Sequence, residues 1–265
     1  MSGGSGERLL AILDLFDETH FAWSPQRMMD RLGYSRPTLY RYLKLLREAG
    51  LLSPAAGGAF TLGPRVVELD YLVRQSDPLV ACSQPHLAAL AGRFPGTAFL
   101  AQWYGDKLLC VAAESRDAAA RTSYPRGRPM PLTRGAVARA IVSHLPRREQ
   151  ARLIAAHGPD YAAIGLGATE SEVLAAFRAI RRAGIATAHG EVTPGIVGTA
   201  APVLDAARHP LAALCLSMEA ADRARLDPAE VAGAIQHAAA AIGCNMAGPT
   251  ETTPGEQPEH AGELA

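Results

Sequence analysis

The four cysteines, Cys82, Cys110, Cys215 and Cys244, are too widely spread for a zinc finger or a dense disulfide framework. The eight histidines are scattered as well, so no metal and no cofactor is expected. No run of about twenty apolar residues is present to cross a bilayer, and the opening Met1-Ser2-Gly3-Gly4-Ser5-Gly6 is too polar for a signal peptide. A reducing cytoplasm and no membrane partner are the expectation. The Gly-x-Ser-x-Gly elbow, the P-loop and the dinucleotide fingerprint are all missing. Gly195-Ile196-Val197-Gly198 is too loose for a phosphate cradle and reads as a turn entering a strand. Glu114, Asp117, His189 and Glu191 offer acid and base groups, but any domain of this size offers as many, and the chain is read as not an enzyme. Excess charge is absent too, with 26 Lys and Arg against 26 Asp and Glu. That balance argues against an indiscriminate polyanion binder.

What the chain does have is a local basic patch. Residues 1–75 carry nine Lys and Arg, four of them within Arg36–Arg47, where no Asp or Glu occurs. Ser35 is placed to cap a helix there with its hydroxyl on a free backbone N–H, and Pro37 sits in the first turn, where a missing donor costs little. Leu39, Leu43 and Leu46 fall on one face, leaving Arg36, Tyr40, Arg41, Lys44 and Arg47 on the others. Upstream, Ser24-Pro25 opens a second helix that stops at Gly33. Helix, glycine turn and basic helix outline a helix-turn-helix, whose second helix enters the major groove N-terminus first. The residues so presented for DNA binding are Ser35, Arg36, Thr38, Tyr40, Arg41 and Lys44.

Leu51-Leu52 and Ala59-Phe60-Thr61-Leu62, joined through Gly57-Gly58, predict a hairpin that serves as a wing. Leu9, Leu10, Ile12, Leu13 and Phe16 predict an amphipathic first helix over the other two. The winged domain spans 6–63, and 64–76 reads as a linker helix with Val66, Leu69, Leu72 and Val73 on one stripe. That stripe either pairs with its copy in a second subunit or packs on its own domain. From 77 to 246 the pattern is of helices and strands in separate runs. A helix is predicted through Val80, Leu87, Leu90 and Phe94, then a hairpin over Ala98–Tyr104 and Lys107–Ala113 and a strand at 120–124. Helices follow at Gly135–His144, Arg147–His157 and Glu170–Ala183, strands near Ile185–Glu191, Thr199–Leu204 and Leu211–Met218, and a last helix over Pro228–Cys244. The fold class is α+β, with the second domain built on an antiparallel sheet. Residues 247–265, with four Glu, three Pro and no Lys or Arg, read as a disordered acidic tail.

Several of these segments carry a resemblance. Gly6–Leu13, the Ser35–Leu46 helix with its Thr38-Leu39-Tyr40-Arg41 centre, and Phe60–Arg65 in the first domain are similar to the IclR family of transcriptional regulators. So are Gly127–Leu132, Gly184-Ile185, Glu191–Ile196 and Ala200–Val203 in the second. The resemblance implies a winged domain on operator DNA, a GAF-like effector-binding domain, and a homodimer or homotetramer. It further implies an effector pocket made by Thr122, Met130, Ala136, Val137, Ala188, Ile196, Gly198, Cys215 and Ser217. Where relatives that take small polar acids often carry an aspartate, a cysteine and a first serine, this chain has Ala188, Gly198 and Cys215. Those replacements remove hydrogen-bonding groups and favour a bulkier, more apolar ligand. Thr133, Arg134 and His189, beside pocket positions, remain to meet a carboxylate or phenol. The expected function is a sequence-specific DNA-binding regulator whose operator affinity responds to an organic, aromatic acid. Two alternatives stay open: an enzyme acting on a small acid, with the winged domain used for protein contacts, and a ligand-independent architectural DNA binder.

Overall fold

The computed structural model describes residues 4–104, 107–116 and 125–246. It divides into two compact units at the Asp77/Pro78 boundary. The expected strand at 120–124 and the acidic tail at 247–265 lie outside the described residues.

The first unit opens with α1 (Ser5–Leu10), shorter than its apolar pattern suggests. Ile12 N–H bonds to Leu9 and Leu15 N–H to Ile12, so the chain tightens into a 3-10 turn at Leu13–Leu15. The tighter winding turns Ile12 and Leu15 into the core. In α2 (Pro25–Leu32) the Ser24 hydroxyl accepts the Arg27 N–H, Pro25 occupies the first turn, and Gly33 closes the helix at φ 68°. Next comes α3 (Arg36–Glu48). Ser35 stands in its capping position, but its hydroxyl donates to Thr38 Oγ1 at 2.9 Å and caps no backbone N–H, a correction to the expected geometry.

Leu39, Leu43 and Leu46 are buried against Ile12, Met28 and Leu52, as their spacing requires. Each such side chain contributes about 1.5–3 kcal/mol through burial. Tyr42 joins them unexpectedly. Its ring meets Tyr34 edge-on at 6.1 Å, and its hydroxyl lies 3.2 Å from Ser5 Oγ, tying α1 to α3.

The wing pairs β1 (Leu52–Pro54) with β2 (Phe60–Leu62) in antiparallel register, Leu52 opposite Leu62 and Pro54 opposite Phe60. Trp23 adds a bridge to Phe60, so the segment before α2 is bonded to the wing. A Cβ on Gly63 would meet the Gly50 carbonyl oxygen at 2.2 Å, so only glycine lets the wing close on the end of α3. After it, α4 (Arg65–Ser76) buries no residue. Val66, Val67, Leu69, Tyr71, Leu72 and Val73 are all exposed, so packing on its own domain does not describe this helix.

In the second unit, α5 (Pro78–Arg93) leads into the hairpin of β3 (Thr97–Tyr104) and β4 (Lys107–Ser115). The short β5 (Pro129–Met130) precedes α6 (Ala136–Val142) and α7 (Arg147–Ala163). The last helix outruns its expected end at His157, because the chain kinks there (φ −133°) and resumes helical winding past Pro159. A capping box between Thr169 and Glu172 starts α8 (Glu170–Ala183), and Gly184 ends it at φ 65°. Then follow β6 (Ala186–His189), β7 (Ile196–Leu204), β8 (Pro210–Glu219), the single turn α9 (Ala220–Arg223) and α10 (Pro228–Met246).

The strands form one antiparallel sheet in the order β5-β4-β3-β8-β7-β6. Side chains alternate across it. Phe99, Ala101, Cys215 and Ala200 face a core shared with α6, α7 and α8. Their neighbours Ala98, Leu100, Leu214 and Leu216 face a second core shared with α5 and α10. No described helix is long and apolar enough to cross a membrane.

Candidate functional sites

On α3 the expected DNA-reading residues all lie outside the core. Ser35, Arg36, Tyr40, Arg41 and Lys44 are exposed and Thr38 is half-buried. The Arg36 guanidinium lies 5.5 Å from the centre of the Tyr40 ring, and that of Arg41 5.2 Å from Tyr42. Arginine's planar fork, with five donors, suits phosphate or guanine acceptors. Lys44 makes an exposed 3.8 Å ion pair with Glu48 on the same helix, a contact worth little in water.

The second unit holds a partly enclosed cavity between the sheet and the start of α6, with about 520 Å³ between its walls, the open mouth included. Strand register explains its floor. Ala188 pairs with Gly198, Gly198 with Ser217, and Ser217 with Thr97, forming one row across four strands. Phe99 opposite Cys215 forms the next row on the same face. Because position 198 carries no side chain, the row dips there, and Ala136 and Cys215 are the nearest side chains to the missing Cβ, at 3.6 and 3.8 Å.

Eight of the nine residues expected at the effector pocket line this cavity: Met130, Ala136, Val137, Ala188, Ile196, Gly198, Cys215 and Ser217. Thr122 lies outside the described residues. Of the three neighbours, Arg134 lines the cavity, Thr133 is buried on an adjoining groove that shares Met130, Pro131 and Arg134 with it, and His189 is exposed at the end of β6. His189 follows Ala188 along β6, and neighbouring strand residues point to opposite faces.

The sequence reading missed Phe99, Val192 and the ion pair of Arg139 with Glu191, whose partners are each 14% exposed. Glu191 also accepts the Gly135 N–H at 2.8 Å, and Arg139 donates to the Thr187 carbonyl at 3.0 Å. One signal was available: Arg139 is the lone charge in the otherwise apolar Ala136–Val142 helix. Burial pulls the Arg139 guanidinium down from its ordinary range while Glu191 opposes that shift. The pair therefore cancels its own charge. Arg134 is left as a guanidinium with no ion pair to any described residue, while Glu191, the acidic group of the same wall, is held by Arg139.

Burial pushes the Cys110 thiol up to about 11 and that of Cys215 higher still, with Cys110 adding to the latter shift. Raised values keep both thiols protonated at mildly alkaline pH, and only the thiolate is nucleophilic. Iodoacetamide at about pH 8 is therefore expected to alkylate the exposed Cys244 and spare Cys110 and Cys215. Peptide mapping by mass spectrometry reads this directly, and equal labelling of Cys215 and Cys244 would contradict the buried placement. Among the described residues no group of His, Cys, Asp and Glu is placed to hold a metal ion.

A winged helix-turn-helix with an exposed basic recognition helix, joined in one chain to a sheet domain enclosing a small-molecule cavity, defines a ligand-binding transcriptional regulator. The model for the IclR helix-turn-helix domain matches residues 5–55, and that for the bacterial transcriptional regulator IclR C-terminal domain matches residues 71–244. The chain belongs to the IclR family of bacterial transcriptional regulators. It is 26% identical to the HTH-type transcriptional regulator XynR of Escherichia coli K12 over 229 residues, 86% of this chain and 90% of that one. To KipR of Bacillus subtilis 168 it is 28% identical over 140 residues, 53% of this chain and just over half, 56%, of that regulator. In fold it is similar to an IclR regulator of Silicibacter sp. TM1040, with a TM-score of 0.77, 20% identity and coverage of 93% and 97% of the two chains. It is also similar to an IclR homologue of Microbacterium hydrocarbonoxydans crystallised with 4-hydroxybenzoate, with a TM-score of 0.72, 18% identity and coverage of 92% and 99%.

Proposed function

We propose that this regulator reads operator DNA through Ser35, Arg36, Thr38, Tyr40, Arg41 and Lys44, and that an aromatic carboxylic acid in the cavity of the second unit alters its operator affinity. The observation that carries the ligand class is the cavity's division of labour. Phe99, Met130, Val137, Val192 and Ile196 supply apolar wall, while Arg134 supplies an unpaired cation and Ser217 a hydroxyl. A flat apolar body with one carboxylate satisfies both parts; a short polar acid leaves the apolar wall without contacts. The relative crystallised with 4-hydroxybenzoate supports the same class.

A homodimer or homotetramer is part of this reading, supported by the bare apolar side chains of α4, with Val67 at 72% and Leu72 at 51% exposure. An effector shifts operator binding only if it prefers one arrangement of the paired subunits. A tenfold change needs a differential of about 1.4 kcal/mol.

Calorimetric titration of the full chain with 4-hydroxybenzoate and with glyoxylate tests the ligand class. Saturable heat from the aromatic acid is expected, weakened about tenfold in Arg134→Gln, roughly the worth of one charge-assisted hydrogen bond. Heat from glyoxylate alone would overturn the aromatic reading.

A further inference from the structure

The second unit holds another, more open groove that shares no lining residue with the effector cavity. It runs between the ends of α6 and α8, the β7–β8 hairpin and α10, with about 1010 Å³ between its walls including open solvent. At its base is His144, only 4% exposed. Nδ1 of His144 lies 2.9 Å from the Ala140 carbonyl oxygen, which can only accept, so Nδ1 carries the proton. Ser143 Oγ, 3.0 Å from the same nitrogen, donates its own proton to Ala140 and leaves that assignment intact. In the neutral ring Nε2 is then an acceptor. It has no hydrogen-bond partner among the described residues, and His144 lines the groove.

Charge around the groove is asymmetric. Arg181 and Arg208 both line it, and neither guanidinium makes a hydrogen bond or ion pair with any described residue. The Asp205 carboxylate is engaged by the His209 backbone N–H at 2.7 Å and lies 3.5 Å from its ring Nδ1. Gln236 spends its amide N–H on the Ala183 carbonyl, at 2.7 Å. Arg208 is also the one non-glycine among the described residues with positive φ, at 64°. A backbone position that glycine or asparagine takes without strain is here given to a long cation. Burial, followed by the charges of Arg181 and Arg208, pulls the His144 imidazole below its ordinary range despite the opposing bond to Ala140, so the ring is neutral at pH 7.

We propose that this groove is a second ligand site, separate from the effector cavity, that takes a phosphate group still carrying a proton, held by Arg181 and Arg208 with its P–OH donating to Nε2 of His144. Two guanidiniums with no acidic partner among the described residues suit an oxyanion, and a buried acceptor lining the same groove asks that the oxyanion bring a donor. Hydrogenphosphate meets both conditions at neutral pH. Sulfate, of the same size and charge, has no proton to give and leaves the lone pair facing an oxygen lone pair.

The test is calorimetric titration of the full chain at neutral pH, in a chloride buffer, with inorganic phosphate, glycerol phosphate and sulfate. Phosphate is expected to saturate a site that binds sulfate at least about tenfold more weakly. Arg181→Gln and Arg208→Asn, the latter compatible with positive φ, should each weaken phosphate by about tenfold. His144→Asn keeps a donor for Ala140, and its shorter side chain does not carry an acceptor out to the Nε2 position, so it should bring phosphate and sulfate to equal affinity. If that buried substitution fails to fold, the two exposed arginines carry the test alone. Tighter binding of glycerol phosphate would identify the ligand as a phosphorylated metabolite, and the reverse order as the free ion. Absence of phosphate binding at tens of millimolar, equal binding of sulfate by the parent protein, or indifference to both arginine substitutions overturns the proposal.

Discussion

Arg41→Ala is expected to weaken operator binding by about ten- to a hundredfold while leaving effector binding and thermal stability unchanged. The range follows from the roughly 1–3 kcal/mol that a bidentate arginine contact to a base edge contributes. Arg41 is suited to that role because it is exposed, lies in the first half of α3, and has no acidic neighbour between Arg36 and Arg47 to neutralise it. Its loss gives up the contact with the Tyr42 ring but no buried side chain, and Leu39, Leu43 and Leu46 hold the helix from the opposite face. Arg41→Lys keeps the charge but not the fork, so it should restore general affinity for DNA better than discrimination between operators. Lys44→Ala, by contrast, should weaken binding evenly across sequences and flatten the salt dependence by about one unit of slope. A gel shift on the DNA flanking the coding region, with thermal melting alongside, reads all three variants. Undiminished operator binding by Arg41→Ala would show that α3 does not present this residue to DNA.

The second large effect is expected at Gly198. Its backbone is ordinary strand, so a side chain brings no torsional strain there, and an added Cβ meets its neighbours at normal contact distances. Gly198→Ala should therefore fold as the parent does. Gly198→Leu sends a branched chain from the floor into the space that the aromatic acid is proposed to fill, at a cost in stability of about 1–3 kcal/mol for overpacking. We expect its calorimetric response to 4-hydroxybenzoate to disappear, with operator binding retained but no longer sensitive to the acid. Because the phosphate groove shares none of its lining with this floor, phosphate binding should survive in Gly198→Leu. An undisturbed aromatic-acid titration in this variant would mean that the effector sits elsewhere.

Local pattern made most of the fold legible. Ser24-Pro25 before an apolar repeat and Gly33 after it delimit α2 to the residue, because capping and positive φ are local requirements of the backbone. The helix expected at Glu170–Ala183 has those bounds in α8, where a capping box opens it and Gly184 closes it. Legibility failed where a longer-range contact competed with a local preference. Leu13 and Phe16 continue a helical pattern, yet the chain tightens there to carry Ile12 and Leu15 beneath α3. Ser35 has the chemistry of a backbone cap, but Thr38 offers its hydroxyl a nearer partner. Tyr42 sits among basic residues in a helix read as half polar, and burial of its ring became evident only when α1 arrived over it.

The sequence by itself determined the division into a winged DNA-binding domain and a sheet domain, the basic face of α3, the α+β class and the family. Each rests on residue types at short spacings, where period and backbone chemistry act without help from the rest of the chain. Only the tertiary structure decided what the cavity and the groove contain. Ala188, Gly198, Ser217 and Thr97 form one row because strand register aligns them from four distant segments. Arg134 lines that cavity with no ion pair to any described residue, while Arg139, five residues on, is paired with Glu191. His144, Arg181 and Arg208 meet because two helix ends and a hairpin converge beside α10. Such sites are sums over non-local contacts, and no periodicity in the chain encodes which side chains will share the space and which will have spent their charge elsewhere.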